Sequence, residues 1–224
     1  METSCTPAVE KPLWNIHKEL IITEIKSIHD IKAFSRFVYN VYQKTYHQQY
    51  NWIPTCTAQS ELEKEDLRYA SDSRFFVCCT RTKEILGTCR ITKKNDHLTF
   101  PIEDVFKINI NHLVKRLNLS IEEFWHLGRL SVDKDKLSMY SADPKSAAMI
   151  MKKLLMASFE VICRSTNNLL IAETDSKVFR MLNQIGINVE MIGLPRHYMG
   201  SITLPTIVLA KDLNLWACIN KNSH

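Results

Sequence analysis

One stretch restricts the fold more than any other: Phe124-Trp125-His126-Leu127-Gly128-Arg129-Leu130-Ser131-Val132-Asp133. Phe124, Trp125, Leu127, Leu130 and Val132 are strand formers, so residues 123–132 read as a strand with an interruption. Gly128 weakens a strand interior and points to a bulge or a close backbone approach. His126 and Arg129 need partners if they turn inward, because an unpaired buried charge is costly. His126 is the only chargeable group between Phe124 and Gly128. Imidazole accepts a proton near neutral pH, so it is a candidate base; a hydrogen-bonded structural histidine is the plainer alternative.

The elements around this strand follow from periodicity. Asp143-Pro144 is a helix start, with Asp143 as N-cap and Pro144 at the first helical position. The helix runs to about Arg164 on a stripe of Ala147, Ala148, Met151, Leu154, Leu155, Ser158, Val161 and Ile162. Residues 169–173 form a short apolar strand of the kind found in buried parallel pairs, reached by a right-handed crossover. Upstream, 20–25 is a first strand, and a helix follows Asp30 on the stripe Ile31, Phe34, Phe37, Val38, Val41, Tyr42 and Tyr46. Ser60 with Glu63 is a capping-box pattern. The acidic segment after it, 62–70, reads as a short exposed helix or ordered loop, either a solvated face or a lid near an amine. Residues 74–81 and 84–93 make a hairpin turning at Thr82-Lys83, and an irregular helix ends near Asn118. Ser176 caps a short helix that Gly186 ends, and 189–192 and 202–210 are the last strands. The expected class is α/β (α+β), a mixed sheet with helices on both faces. Residues 1–18 are expected as a loose arm and 19–224 as a single domain.

Composition narrows function mainly by exclusion. Five glycines in 224 residues leave no Gly-rich phosphate loop. The seven cysteines include no C-x-x-C pair, so zinc spacing is absent, no metal is expected, and reduced thiols in a cytoplasmic protein are. No apolar run suggests a signal peptide or a transmembrane helix. No RNP-like or helix-turn-helix pattern supports nucleic-acid binding. The net charge of +5 leaves a basic surface that could meet a membrane periphery or an acidic carrier protein. One anion site is suggested by position. Lys145, Ser146, Ala147 and Ala148 lie in the first turn of the helix at 144, where free backbone N–H groups and small side chains suit a pyrophosphate or phosphopantetheine phosphate. Asp143 competes for the same N–H groups, and an ordinary capped helix is the alternative. Arg90 and Arg129 lie on strands that could be neighbours. Turned inward, they call for a carboxylate from a substrate or from the acidic 61–72 segment.

The succession EILGTCRIT, FPIEDVF, FWHLGRLSVDK, a helix, LLIAETD, MLNQIGI and HYMGSITLP resembles one branch of the GNAT acyltransferase superfamily. That branch holds the N-acyl amino acid synthases and the acyl-homoserine-lactone (autoinducer) synthases, and the similarity covers about residues 20–212. Gly87 and Arg90 match the family's G-x-x-R strand, and Trp125 to Leu130 looks like its W-E-x-S-R-F/L segment. Arg129 keeps the arginine, His126 stands where the family usually has glutamate, and Gly128 replaces a common serine. Leu182 stands where ordinary GNAT enzymes often carry a tyrosine acid. DPKSAAM occupies the place of the usual acyl-CoA loop, and the acidic cluster of the autoinducer synthases is poorly matched. The resemblance implies a sheet splayed in the middle, holding an acyl-phosphopantetheine thioester (acyl-ACP or acyl-CoA) as co-substrate, with no permanent cofactor. Leu130, Ser131 and Val132 would pair with the pantetheine arm, and the helix at 144 would receive the phosphates. The acyl chain would enter an apolar pocket. A small amine, such as an amino acid, would attack the thioester, with His126 as base and Arg90 and Arg129 in the site. A backbone N–H near Leu130 would meet the oxyanion, and Lys145, Lys152, Lys153 and Arg164 could face an acyl carrier protein. An acetyl-CoA-dependent N-acetyltransferase and a non-catalytic acyl-binding module on the same fold are the competing readings.

Overall fold

The computed structural model describes residues 20–221. The expected arm at 1–18 lies outside the described residues. The described residues begin with β1 (Ile21–Ile25), then α1 (Ile28–Tyr50) and α2 (Ala58–Arg68). The hairpin β2 (Ser73–Cys79) and β3 (Ile85–Lys93) follows, then the short helices α3 (Pro101–Asp104) and α4 (Ile110–Arg116). β4 (Phe124–Val132) leads through α5 (Lys134–Tyr140) to α6 (Ser146–Ile162) and β5 (Leu169–Asp175). The chain closes with α7 (Ser176–Gln184), β6 (Glu190–Met191), β7 (Arg196–Tyr198), β8 (Ser201–Leu209) and α8 (Ala210–Lys221). The strands form one sheet in the order β1-β2-β3-β4-β5-β8-β6, with β7 also on β8. Only β4 and β5 run parallel; the other pairs are antiparallel.

Alternation along β2 shows how both faces are covered. Phe75 and Val77 point into a core with Ile31, Phe34, Phe37, Val38 and Val41 of α1. The Phe34 and Phe75 rings meet edge to face at 5.1 Å. Phe76 and Cys78 point the other way, to Ile150, Leu154, Leu155 and Phe159 of α6. A third cluster places Phe100, Ile102, Ile110 and Leu113 over Leu169, Ile171 and Ile207, beneath the far half of the sheet. Helices therefore cover both faces, as the sequence implied.

The sheet parts in its middle. β4 and β5 are paired only at Phe124–Leu169, Trp125–Leu170 and His126–Ile171. Beyond that, β4 continues on β3 to Val132, while β5 continues on β8 to Asp175. This is the splay expected of the GNAT fold, and it begins at Leu127.

Several boundaries differ from the sequence reading, each for a local reason. α1 starts at Ile28 because Ser27, not Asp30, is the N-cap: its hydroxyl accepts the Asp30 N–H at 3.1 Å. α2 starts before Ser60, whose hydroxyl donates to Thr57 O at 2.8 Å instead of capping. α6 starts at Ser146, since the Asp143 carboxylate accepts the Lys145 N–H at 2.9 Å in a turn that holds Pro144. Asp175, not Ser176, caps α7. The strand expected at 189–192 shrinks to two residues, and the irregular helix before Asn118 divides into α3 and α4. α5, β7 and α8 were not anticipated; α8 had a legible stripe in Leu213, Trp216 and Ala217, all buried. The described cysteines are all free, and burial pushes the Cys78 and Cys89 thiols up to about 12. No described helix is long and apolar enough to cross a membrane.

The close approach of α6 to β3 depends on Gly87. A Cβ there would stand 2.8 Å from Ile150 Cγ2 and 3.2 Å from the Ser131 carbonyl oxygen. Gly87→Ala is expected to destabilise the fold by about 1–3 kcal/mol through overpacking, read from the denaturant midpoint. An unchanged midpoint would refute this packing account.

Candidate active site

The site is built around an irregularity in β4. Thr88 pairs with Ser131 and Arg90 with Gly128, so Cys89 on β3 faces two residues, Arg129 and Leu130. The sequence placed the break at Gly128; the bulged residue is its neighbour Arg129, which sits at φ +58°. A left-handed backbone is unfavourable for a side chain of this size. It is held by what the side chain reaches. Arg129 Nε donates to Asp66 Oδ1 at 3.0 Å, and Nη2 stands 2.9 Å from Glu65 Oε1, close enough for an ion pair though poorly aligned for a hydrogen bond.

Arg90 meets the same two acids. Its Nη1 donates to Asp66 Oδ1, and its Nη2 to Glu65 Oε1 at 3.3 Å. The Tyr69 ring lies 4.8 Å from its guanidinium carbon. Asp66 is fully buried and also accepts the Ser35 hydroxyl at 2.7 Å. The acidic segment is thus neither a solvated face nor a loop. It is a helix whose Leu62 and Asp66 are buried, and it supplies the carboxylates that two inward arginines require. Burial pushes the Glu65 carboxyl up, but Arg129 and Arg90 outweigh it and hold the carboxyl down at about 2. For Arg129, burial opposes the charge, while Asp66 and Glu65 hold its pKa above the ordinary arginine value.

His126 lies on the other side of Gly128. Its Nε2 is 2.6 Å from Glu173 Oε2, with the two side chains 4% and 6% exposed. Phe100 stacks on the ring at 4.7 Å and 25°. His126 Nδ1 and Glu173 Oε1 are both buried and have no hydrogen-bond partner. Sequence reading missed Glu173, which closes the apolar run 169–173. The available signal was the acid itself, since a carboxylate ending a buried strand demands a partner.

Three openings converge where β4 and β5 part. A cavity runs between Leu127–Leu130 and 172–175 into apolar walls of Leu155, Phe159, Leu182, Val189 and Leu213. A polar cavity beside it is lined by Glu65, Arg90, His126, Glu173, Tyr198 and Thr203. A groove follows Leu130, Ser131 and Val132 outward between α1 and α7. Tyr42, Tyr46 and Asp175 line all three. Burial pushes the Tyr42, Tyr46 and Tyr198 hydroxyls up, so they stay protonated donors. None of these tyrosines was singled out for chemistry from sequence; Leu182 is part of the apolar wall.

The structure brings His126, Arg129 and Arg90 together and sets Leu130, Ser131 and Val132 along the groove. It does not bring Lys145, Ser146, Ala147 and Ala148 to the groove; Met151, one turn further along α6, lines it instead. Ser146 is buried with its hydroxyl 2.7 Å from that of Ser141, and Asp143 already takes the Lys145 N–H.

No family model matches the sequence, and no curated protein is found similar to it. Solved structures do match, over most of the chain. FeeM, an N-acyl amino acid synthase from uncultured soil microbes, is 13% identical and covers 90% of this chain and 96% of its own, with a TM-score of 0.61. BjaI, a CoA-dependent acyl-homoserine lactone synthase solved with SAM and isopentyl-CoA, is 14% identical over 92% and 90%, at 0.56. The AHL synthase LasI is 13% identical over 85% and 89%, at 0.53. The chain shares their fold.

Two outcomes test the charge cluster. Asp66→Ala leaves two buried guanidinium groups with a lone half-exposed partner and should destabilise the fold by about 3–5 kcal/mol in chemical denaturation. Glu65 has a depressed folded pKa, so its contribution is complete above the unfolded carboxyl value and is lost as pH falls toward about 2. Wild type should therefore lose stability across that acid window more steeply than Glu65→Gln; parallel pH profiles would contradict the pairing.

Proposed function

We propose that this protein is an N-acyltransferase that moves a long-chain acyl group from a phosphopantetheine thioester to the amine of an amino acid-like acceptor. The observation that carries this reading is the meeting of a deep apolar cavity, a polar cavity and an open groove at one bulged strand beside a buried histidine. The apolar cavity suits an acyl chain, because leucine, phenylalanine and valine side chains form its walls. The groove along Leu130, Ser131 and Val132 suits the pantetheine arm, which can add to β4 where β5 has departed. BjaI is described as CoA-dependent, and this chain can take either CoA or an acyl carrier protein through the same arm.

The polar cavity suits the acceptor. Arg90 Nε is buried without a partner, and Arg129 Nη1 has only Met199 Sδ at 3.9 Å. A carboxylate would satisfy both donors, as an amino acid provides. The acceptor nitrogen attacks the thioester carbonyl carbon. The C–N bond forms and the C–S bond breaks. His126 takes a proton from the nitrogen, and the thiolate leaves and is protonated, with Tyr42 or Tyr46 at hand as a donor. At the bulge, the displaced N–H at Leu130 is the donor assigned to the developing oxyanion.

Mass spectrometry of lipids from cells overproducing the protein should reveal a new N-acyl amino acid, absent with His126→Ala. In purified, folded protein that variant is expected to lose about 10²–10⁴-fold in kcat, and also some stability in chemical denaturation, because it strands the buried Glu173 carboxylate. Equal turnover would remove His126 from the mechanism. Leu182→Trp fills the apolar cavity and should shift the products toward shorter chains; an unchanged chain-length distribution would show that the acyl group lies elsewhere.

A further inference from the structure

The His126 ring is held on one face and at Nε2. Phe100 covers a face at 4.7 Å. Glu173 Oε2 sits 2.6 Å from Nε2. An ionised carboxylate can only accept, so this contact places the ring proton on Nε2 and leaves Nδ1 as a bare lone pair. Nδ1 is buried with no protein partner. A buried lone pair without a donor is costly unless something else fills that place.

Gly128 decides what can. A Cβ at this position would stand 3.2 Å from His126 Cε1 and 3.6 Å from Nδ1, with Arg90 Nη2 at 3.5 Å. The missing side chain therefore leaves an opening over the edge of the ring that carries Nδ1. Gly128 lines both the apolar and the polar cavity, so the opening lies where the two join. Its backbone needs no special conformation, since its φ is not in the left-handed region. A side chain here would press on the His126 ring, which would have to give by a few tenths of an ångström.

We propose that Glu173 is a positioning residue that fixes the His126 tautomer with Nδ1 bare, and that Gly128 is the gap through which Nδ1 reaches the acceptor amine. The use made of Nδ1 rests on the acyltransfer reading; the tautomer and the gap do not. In the transfer step the amine nitrogen gives one proton to Nδ1 as the C–N bond forms. The imidazolium then holds protons on both nitrogens, its Nε2–H still donated to Glu173. The C–S bond breaks and the sulfur leaves as a thiolate, which takes a proton from the Tyr42 or Tyr46 hydroxyl; the imidazolium returns its Nδ1 proton to that hydroxyl through solvent, so one proton passes overall from nitrogen to sulfur and atoms and charge balance. A Cβ at position 128 would lie against the edge of this ring. The histidine and the glycine are therefore a matched pair, and Glu173 on β5 is the third member.

Nitrogen NMR on the full-length, ligand-free protein labelled in its histidine rings tests this directly, at mildly alkaline pH where imidazole is neutral. The His126 signals are identified by their loss in His126→Gln. Wild type should show a bare Nδ1 and a protonated Nε2. In Glu173→Gln the two resonances should move toward each other as tautomers mix. Gly128→Ala should keep the wild-type tautomer, yet its Nδ1 resonance should no longer shift when ethylamine is added, as it does in wild type. With a productive donor and acceptor, Gly128→Ala should also lose about 10²-fold in kcat at a KM within about threefold. A protonated Nδ1 in wild type, or an unchanged tautomer in Glu173→Gln, overturns the role of Glu173. An equal ethylamine response in Gly128→Ala overturns the gap. If no donor and acceptor turn over, the acyltransferase reading fails by itself, and the resonances still decide this inference.

Discussion

Two buried guanidinium groups dictate the middle of this protein. Arg90 is 1% exposed and Arg129 6%, and neither can stay there without anions. Asp66 answers both with one carboxylate oxygen and takes the Ser35 hydroxyl on the other. Four elements therefore meet at one point: α1 through Ser35, α2 through Asp66, β3 through Arg90 and β4 through Arg129. Replacing one partner leaves an uncompensated charge, so the cluster is all or nothing. It also holds Arg129 in a backbone conformation that its side chain alone would not favour, and so fixes the bulge in β4.

The bulge and the parting of the sheet lie side by side. β4 stays with β5 for three residue pairs and then follows β3 alone. An opened sheet exposes unpaired backbone and an apolar interior, both unfavourable unless occupied. The groove offers that backbone an extended partner, and the cavity behind it offers an apolar one a place among leucines and valines. The charge cluster in front is already neutralised internally, yet it retains donors that point nowhere in the protein. An acyl thioester and an amino acid would between them satisfy every one of these loose ends. That economy is the physical argument for the proposed acyl transfer.

The sequence revealed what periodicity and pairing rules govern. The strand at 123–132, its break, the helix stripes facing each side of the sheet, and the need of Arg90 and Arg129 for acids in 61–72 could all be read from residues. What stayed hidden depended on contacts between distant segments. α2 carries too few apolar residues to announce a buried face, because its inward groups are the acids themselves. Glu173 lies 47 positions from His126, and its strand looks uniformly apolar until its last residue is given a partner. The helix that carries Ser146 to Ala148 starts two residues later than its pattern suggests, because Asp143 takes the Lys145 N–H in a turn before it. Tyr42 and Tyr46 were read as core positions on the α1 stripe, which they are, but they also edge all three openings.

The central claim is direct attack of an amine on a thioester held in the parted sheet. The most direct measurement is thiol release from purified protein loaded with a long-chain acyl-CoA, followed with and without an amino acid acceptor. The account predicts that thiol appears only when the acceptor is added, one equivalent for each amide formed. Release without acceptor, leaving the acyl group on the protein, would contradict it, and so would a bound thioester that no amine consumes.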